Sequence, residues 1–258
     1  MNKLPKPYYD RDGITLYCGD SRKIMPLLPS SSVDMIFTDP PYGHNNNNGD
    51  LIHRWEVAIG KKTVSEKHRP IANDGAEAND LFRNALPEFK RLLKRCCCCC
   101  CCCGGGGGPD PQFARWSLWI DEVLNFKQMI VWDKGKMGMG WHYRRSYETV
   151  LVSTNGKGKA RWFDDSNKVE NIIRPGDYGI KKQIPTAKDH PTPKPIALPS
   201  HFIGLHSEAS DLILDPFAGG GSTLVAARRM NRRAIGIECS KDFCRLIVSR
   251  LKLEGIAA

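Results

Sequence analysis

Apolar and polar residues alternate through GITLYCGD, Gly13 to Asp20, as they do along a strand with one face in a core, and the closing Gly-Asp marks its exit into a loop. SRKIMPLLP then predicts a short helix with Ser21 near its cap. VDMIFT, Val33 to Thr38, reads as a buried strand stopped by two prolines. From His44 to Gly75 no period is sustained, and the segment is expected to be a long loop of the functional or mobile kind. Leu81, Phe82, Ala85, Leu86, Phe89, Leu92 and Leu93 recur at helical spacing, with Lys94 and Arg95 closing the segment. Pro87 inside that pattern means a kink or a later start.

Phe113 to Phe126 predicts another helix, and Gln128 to Trp132 and Tyr147 to Ser153 two more strands. Asn155 to His190 is charged, holds Gly and Pro and has no long apolar run, so it reads as a small lobe or an elaborated loop. After it, PKPIALPSHFIGLH suggests a helix, DLILDPFAGGGS a strand and glycine turn, TLVAARRM a helix, RAIGIE a strand and SKDFCRLIVSRLKLEG a final amphipathic helix. Strands alternating with helices predict an α/β fold, a Rossmann-like, doubly wound and mostly parallel sheet covered on both faces.

With 258 residues, 41% of them hydrophobic, the chain can bury a sizeable α/β core without staples. A formal charge of +10 favours a polyanionic partner such as nucleic acid, with plain solubility as the other reading. MNKLPKPYYDRDG holds no signal-like apolar run, and no later stretch approaches the roughly 18 apolar residues of a membrane helix. A cytoplasmic, non-membrane protein is therefore expected, in which thiols stay reduced. The seven histidines form no close ligand pairs of the metalloprotease type, so no metal site is expected.

Two turns carry candidate chemistry. DPFAGGGST, Asp215 to Thr223, lies between an apolar strand and a helix, where its glycines can form a tight turn that lets a ligand approach the backbone. The next strand ends in Glu238, placed to accept hydrogen bonds from ribose hydroxyls. No GxxxxGK[ST] pattern occurs, so a nucleoside without a phosphate chain fits better than a nucleotide. TDPPYG, Thr38 to Gly43, follows the buried strand and offers what an exocyclic amine needs: the Asp39 carboxylate and the Pro40 carbonyl as acceptors and the Tyr42 ring for stacking. A packed glycine turn and a proline turn are the plain structural alternatives.

DPPY followed by DPFAGGGST resembles the S-adenosylmethionine-dependent amino-methyltransferases of DNA, which methylate adenine N6 or cytosine N4. With the catalytic tetrapeptide first and the cofactor loop last, the order resembles the permuted β class, over roughly residues 13–255. The resemblance implies catalytic roles for Asp39, Pro40, Pro41 and Tyr42. It implies S-adenosylmethionine as cofactor, held by Asp215, Pro216, Phe217, Gly219, Gly221 and Thr223, by Glu238 on the ribose, by Asp20 on the adenine, and by Lys194 of HPTPKP closing the methionine pocket. Residues 1–154 would be the catalytic half, 155–189 a target-recognition insert and 190–258 the cofactor half.

The implied reaction is direct in-line methyl transfer to a flipped-out base in double-stranded DNA. Recognition falls to Lys157, Lys159, Arg161, Lys168, Arg174, Lys181, Lys182 and Lys188 of the insert, with help from the His44 to Gly75 loop, a solvated basic loop being the plain alternative; Trp132 to Glu148 either borders the same groove or uses its Met and Trp residues for packing. DPPY goes more often with adenine and SPPY with cytosine, so adenine N6 is the expected target and cytosine N4 the alternative. The remaining readings are an RNA or protein amide methyltransferase, a DNA-binding module without catalysis, and a metal protein resting on the cysteine run. A homodimer and a cognate restriction endonuclease are the further partners that the family admits, in a bacterium or a phage-infected host.

CCCCCCCCGGGGG, Cys96 to Gly108, stands where related enzymes have a buried strand after "LLK". Cysteine is small and readily buried, and consecutive cysteines in a strand point alternately to its two faces. A structural strand, about Cys96 to Cys103, with a glycine turn at its carboxyl end is therefore expected rather than a metal or redox site.

Overall fold

All six residues of Val33–Thr38 are buried, a state open to a strand with helices on both faces, and this strand, β3, sits at the middle of the fold. The structure is a computed structural model that describes residues 3–43, 57, 71–103, 112–137, 146–180 and 194–254. Its other strands are β1 (Tyr9–Arg11), β2 (Ile14–Cys18), β4 (Leu93–Cys103), β5 (Asn125–Asp133), β6 (Tyr147–Thr154), β7 (Ile172–Ile173), β8 (Leu212–Asp215) and β9 (Arg233–Glu238). The helices are α1 (Ser21–Ile24), α2 (Ala78–Leu92), α3 (Gln112–Val123), α4 (Ala197–His206), α5 (Ser222–Arg229) and α6 (Lys241–Glu254). Among the described residues the strands form one sheet in the order β1-β2-β9-β8-β3-β4-β6-β5-β7. From β2 to β4 every neighbour is parallel; β6 turns the sheet antiparallel against both β4 and β5.

Helices α4, α5 and α6 cover one face through Phe202, Val225, Cys244 and Ile247, and α1, α2 and α3 the other through Ile24, Phe82, Phe89 and Trp116. The α5 cover is close: a Cβ on Gly236 of β9 would stand 2.6 Å from Leu224 Cδ1, so only glycine lets that helix rest on the strand. No helix among the described residues is long and apolar enough to cross a membrane.

Several boundaries depart from the periodic pattern, each for a local reason. The cap of α1 is Asp20 and not Ser21, because the Asp20 carboxylate accepts from Arg22 N at 2.9 Å. Helix α2 starts before the apolar periodicity and runs unbroken through Pro87. Helix α3 ends short of Phe126, since β5 begins at Asn125. Strand β1 has no counterpart in the periodic reading; it forms a hairpin with β2 across Asp12-Gly13, both at positive φ (53° and 75°), as a two-residue turn requires. Expectations placed on residues 44–56, 58–70, 104–108, 138–145 and 181–193, including Lys181, Lys182 and Lys188, lie outside the described residues.

The cysteine run is strand, and it alternates. Cys98, Cys100 and Cys102 join the core under α4, α5 and α6, while Cys97, Cys99 and Cys101 join the core under α1, α2 and α3. The strand begins three residues before the expected Cys96, because Leu93 already pairs with Val33. Register then slips: Leu93 to Cys98 spans five residues of β4 where Val33 to Met35 spans two of β3. At that bulge Cys96 adopts φ 63°, and its N–H donates to the Asn155 carbonyl at 2.8 Å, which ties the chain after β6 to this strand. Burial pushes the Cys98 thiol up to about 12 and that of Cys100 well above its usual value. A thiol-specific reagent should therefore modify exposed Cys18 in the native protein and reach Cys97 through Cys102 only on unfolding. Mass mapping of the labelled peptides checks this, and native labelling at Cys100 would contradict a buried strand.

Candidate active site at the carboxyl edge of the sheet

Neighbouring parallel strands end on one edge, and four of them each deliver an acid there. In sheet order these are Asp20 just after β2, Glu238 closing β9, Asp215 closing β8 and Asp39 just after β3. Residues up to 218 positions apart in sequence (Asp20 to Glu238) thus line one crevice.

On the β2 and β9 side, Asp20 caps α1 and is held by Arg22, whose Nη2 lies 2.8 Å from Oδ2; that hydrogen bond keeps the Asp20 carboxyl below its usual range. Glu238 is buried, and its two oxygens accept from Gly219 N at 2.8 Å and Ser240 N at 2.7 Å. Burial pushes its carboxyl up despite those bonds. The glycine loop thus hangs from Glu238. It turns with Gly219 at φ 47° and Gly221 at φ 78°, and a Cβ on Gly221 would stand 2.8 Å from Ile247 of α6. Phe217 packs half-buried on the sheet, following Pro216.

Asp215 is buried beside β3 and accepts from Thr38 Oγ1 at 2.9 Å and from Phe217 N at 3.2 Å, with Thr223 as a further partner. Burial, outweighing those bonds and reinforced by the charge of Asp39, lifts its carboxyl to about 7. The loop and its flanks offer acceptors and a cation-attracting carboxylate with no phosphate-binding lysine. That donor set fits a nucleoside carrying a positively charged amino-acid tail.

On the β3 side the proline turn is fixed from outside. Asp74, 2% exposed, accepts from Tyr42 N at 3.0 Å and Gly43 N at 2.9 Å, and Gln112 Nε2 donates to the Tyr42 carbonyl. Pro40 is buried and Pro41 half-buried. The Tyr42 ring lies 6.2 Å from that of Trp116, which stacks on Phe82 at 4.0 Å, and the Tyr42 hydroxyl donates to Asp39 Oδ1. Burial first, then the charges of Asp39 and Glu148, push the Tyr42 hydroxyl well above its usual value.

Lys194 is the pivot. Its ammonium donates to Asp39 Oδ2 at 2.7 Å and to the Tyr42 hydroxyl at 3.2 Å, and lies 3.1 Å from Glu148 Oε2. Its carbonyl accepts from Ser222 Oγ at 2.7 Å, at the first residue of α5. The residue expected at the methionine pocket therefore carries its charge on the tetrapeptide and its backbone on the end of the glycine loop. Asp74, Gln112, Trp116, Lys134 and Glu148 are brought to the site without having been singled out there. A charged residue in the apolar YETVLVS strand is the one signal that marks Glu148 beforehand.

In the basic insert, Lys157, Lys159, Lys168 and Arg174 are exposed. Arg161 is committed inward, with its guanidinium 3.3 Å from Asp34, 3.1 Å from Glu208 and 2.9 Å from Asp211. It clamps the segment after β6 to the core rather than presenting charge to a phosphate.

Comparison with known proteins bears on the family and the fold. The chain is 26% identical to the type II methyltransferase M2.DpnII of Streptococcus pneumoniae over 98% of its own length and 94% of that protein. It is 23% identical to the DNA adenine methyltransferase YhdJ of Escherichia coli K12 over 94% and 84%. Its fold is similar to that of TTHA0409 from Thermus thermophilus complexed with S-adenosyl-L-methionine (TM-score 0.66, 21% identity, 93% and 95% covered). It is likewise similar to the cytosine-N4-specific PvuII DNA methyltransferase (TM-score 0.71, 19% identity, 96% and 90% covered). A sequence model described as DNA methylase, of the N6_N4_Mtase family, matches residues 33–249. By that match, which spans most of its length, the chain belongs to the N6/N4 DNA methylase family.

Proposed function

We propose that this DNA methyltransferase moves the methyl group of S-adenosylmethionine to the exocyclic N6 of an adenine flipped out of duplex DNA. The observation that carries the reading is the Asp39 carboxylate, fixed at the carboxyl end of β3 by Lys194 and neighbouring the Asp215 loop on the adjacent strand β8. An aspartate in DPPY and the named adenine activity of YhdJ favour adenine. The PvuII enzyme's likeness in fold keeps cytosine N4 as the second reading.

S-adenosylmethionine supplies an electrophilic methyl group. The residues fitted to hold it are Asp20 at the adenine, Glu238 at the ribose and the loop of Asp215, Pro216, Phe217, Gly219, Gly221 and Thr223 at the amino-acid tail. An exocyclic amine conjugated to a purine is a weak nucleophile; accepting its N–H bonds at Asp39 and at the Pro40 carbonyl favours a pyramidal nitrogen. Stacking on Tyr42 returns roughly 1–3 kcal/mol toward the cost of unstacking the base. Catalysis is then positioning plus electrostatics.

Exposed Lys157, Lys159, Lys168 and Arg174 support residues 155–189 as the recognition insert, set between a catalytic half (1–154) and a cofactor half (190–258). The type II relatives support a cognate restriction endonuclease, and the resemblance a homodimer, as further partners in a bacterial cytoplasm.

Two outcomes are expected. Asp39→Ala should lower tritiated-methyl transfer to duplex DNA by about 10³-fold or more, while calorimetric S-adenosylmethionine affinity stays within about threefold. Full activity in that variant would refute the mechanism, and N4-methylcytosine in the digest of DNA methylated by the unaltered enzyme would replace adenine. The second concerns pH. A positive tail beside Asp215 favours its ionised form, so binding releases a proton wherever the free carboxyl, at about 7, is still protonated. Cofactor affinity should therefore rise with pH, by up to about tenfold per unit below about pH 7, and flatten above it. Asp215→Asn should remove that slope, and an unchanged slope would exclude the carboxyl as its source.

A further inference from the structure

Glu148 lies on β6, on the far side of β4 from the proline turn, yet reaches the site by geometry. β6 runs antiparallel to β4, so its first residues lie at the edge where β3 and β4 end. Side chains alternate along it, and Val150 and Val152 face the core under α4, so Glu148 faces the same side and meets Lys194, which precedes α4. Its Oε1 lies 3.0 Å from Lys134 Nζ, just past the end of β5, and its Oε2 lies 3.1 Å from Lys194 Nζ. Oε2 is buried, and among the described residues that ion pair is its contact, without hydrogen-bond geometry.

We propose that Glu148 is a positioning residue, which holds the Lys194 ammonium against Asp39 and thereby keeps the Asp39 carboxylate aimed at the target amine. The inference rests on the reading of Asp39 as the acceptor of that amine. Lys194 is 8% exposed, and a buried ammonium persists only when paired. Two carboxylates flank it, Asp39 at 2.7 Å and Glu148 at 3.1 Å, together with the Tyr42 hydroxyl and the Cys102 thiol. With Lys134 the set holds two positive and two negative charges, so it is neutral as a whole. Asp39 and the Tyr42 hydroxyl both hold the ammonium from the proline turn, so on their own they would let it move with that turn. Glu148 supplies an anchor from outside the turn, on β6, that fixes its direction. Burial disfavours the Glu148 carboxylate, but Lys194 and Lys134 outweigh burial and keep it ionised.

The test separates positioning from charge balance. Glu148→Gln keeps the shape and removes the charge. Methyl transfer to saturating duplex DNA should show kcat lowered by about 10- to 100-fold, with KM for S-adenosylmethionine within about twofold. Lys134→Met combined with Glu148→Gln restores neutrality without restoring the anchor, and it remains decisive where the single variant fails to fold. If Glu148 positions Lys194, the double variant stays slow at unchanged KM. A double variant with wild-type kcat overturns the inference, as does a single variant with unaltered kcat. Asp39→Ala measured alongside keeps the two readings apart: full activity there refutes the role of Asp39, whereas an inactive Asp39→Ala beside a fully active Glu148→Gln refutes only the role of Glu148.

Discussion

Parallel strands end together, and that constraint governs everything at this site. It brings four carboxylates to one edge, where like charges in a partly buried crevice repel and desolvation penalises each of them. Each acid is accommodated differently. Asp20 takes a guanidinium and a helix N-terminus. Glu238 takes two backbone N–H groups. Asp215, most deeply buried among threonines, is lifted toward protonation, which removes its charge at slightly acid pH. Asp39 takes the buried Lys194 ammonium. The four devices leave the acids in different environments, with backbone N–H groups on Glu238, hydroxyls and a backbone N–H on Asp215, and a lysine on Asp39.

The parts of this arrangement legible in the sequence are those that local chemistry dictates. Asp20, Asp39 and Asp215 stand where an apolar run meets Gly or Pro and Glu238 closes an apolar run, so strand end and acid are read together, and RAIGIE and VDMIFT form strands with the expected bounds. The Asp12-Gly13 hairpin is also local chemistry, a two-residue turn signal that the apolar pattern alone passes over. What stays hidden is what the sheet order decides. Nothing near residue 74, 112 or 148 states that Asp74 holds the Tyr42 and Gly43 amides, that Gln112 holds the Tyr42 carbonyl, or that Glu148 meets Lys194. Arg161 is the converse case. Among surface lysines it reads as a phosphate contact, but Asp34 of β3 lies beneath it and claims the charge.

The cysteine strand fits the same logic of a sheet buried on both sides. A central strand needs residues that are apolar enough to bury and need not be large, because its neighbours can supply bulk. Phe37 packs against Phe202 over one face, and Trp116 and Phe82 stack over the other. Thiols of modest volume fill what remains. At Cys98 and Cys100 burial favours the neutral thiol and so suppresses the thiolate that reactivity and metal binding need.

Lys194 joins the glycine loop and the proline turn within one residue. Its carbonyl receives Ser222 Oγ, so its backbone moves with the start of α5 and the loop fitted to the cofactor. Its ammonium rests on Asp39, so its side chain moves with the turn fitted to the target base. On the proposed reading, any movement of the glycine loop would be felt as a displacement of positive charge beside Asp39, across a part-buried contact of 2.7 Å. Glu148 opposes that displacement from β6, which is tied to the central sheet through β4. On the proposed reading, the acceptor of the amine is thus referenced to the sheet on one side and to the loop fitted to the cofactor on the other, which is what in-line transfer between two separately bound reactants requires.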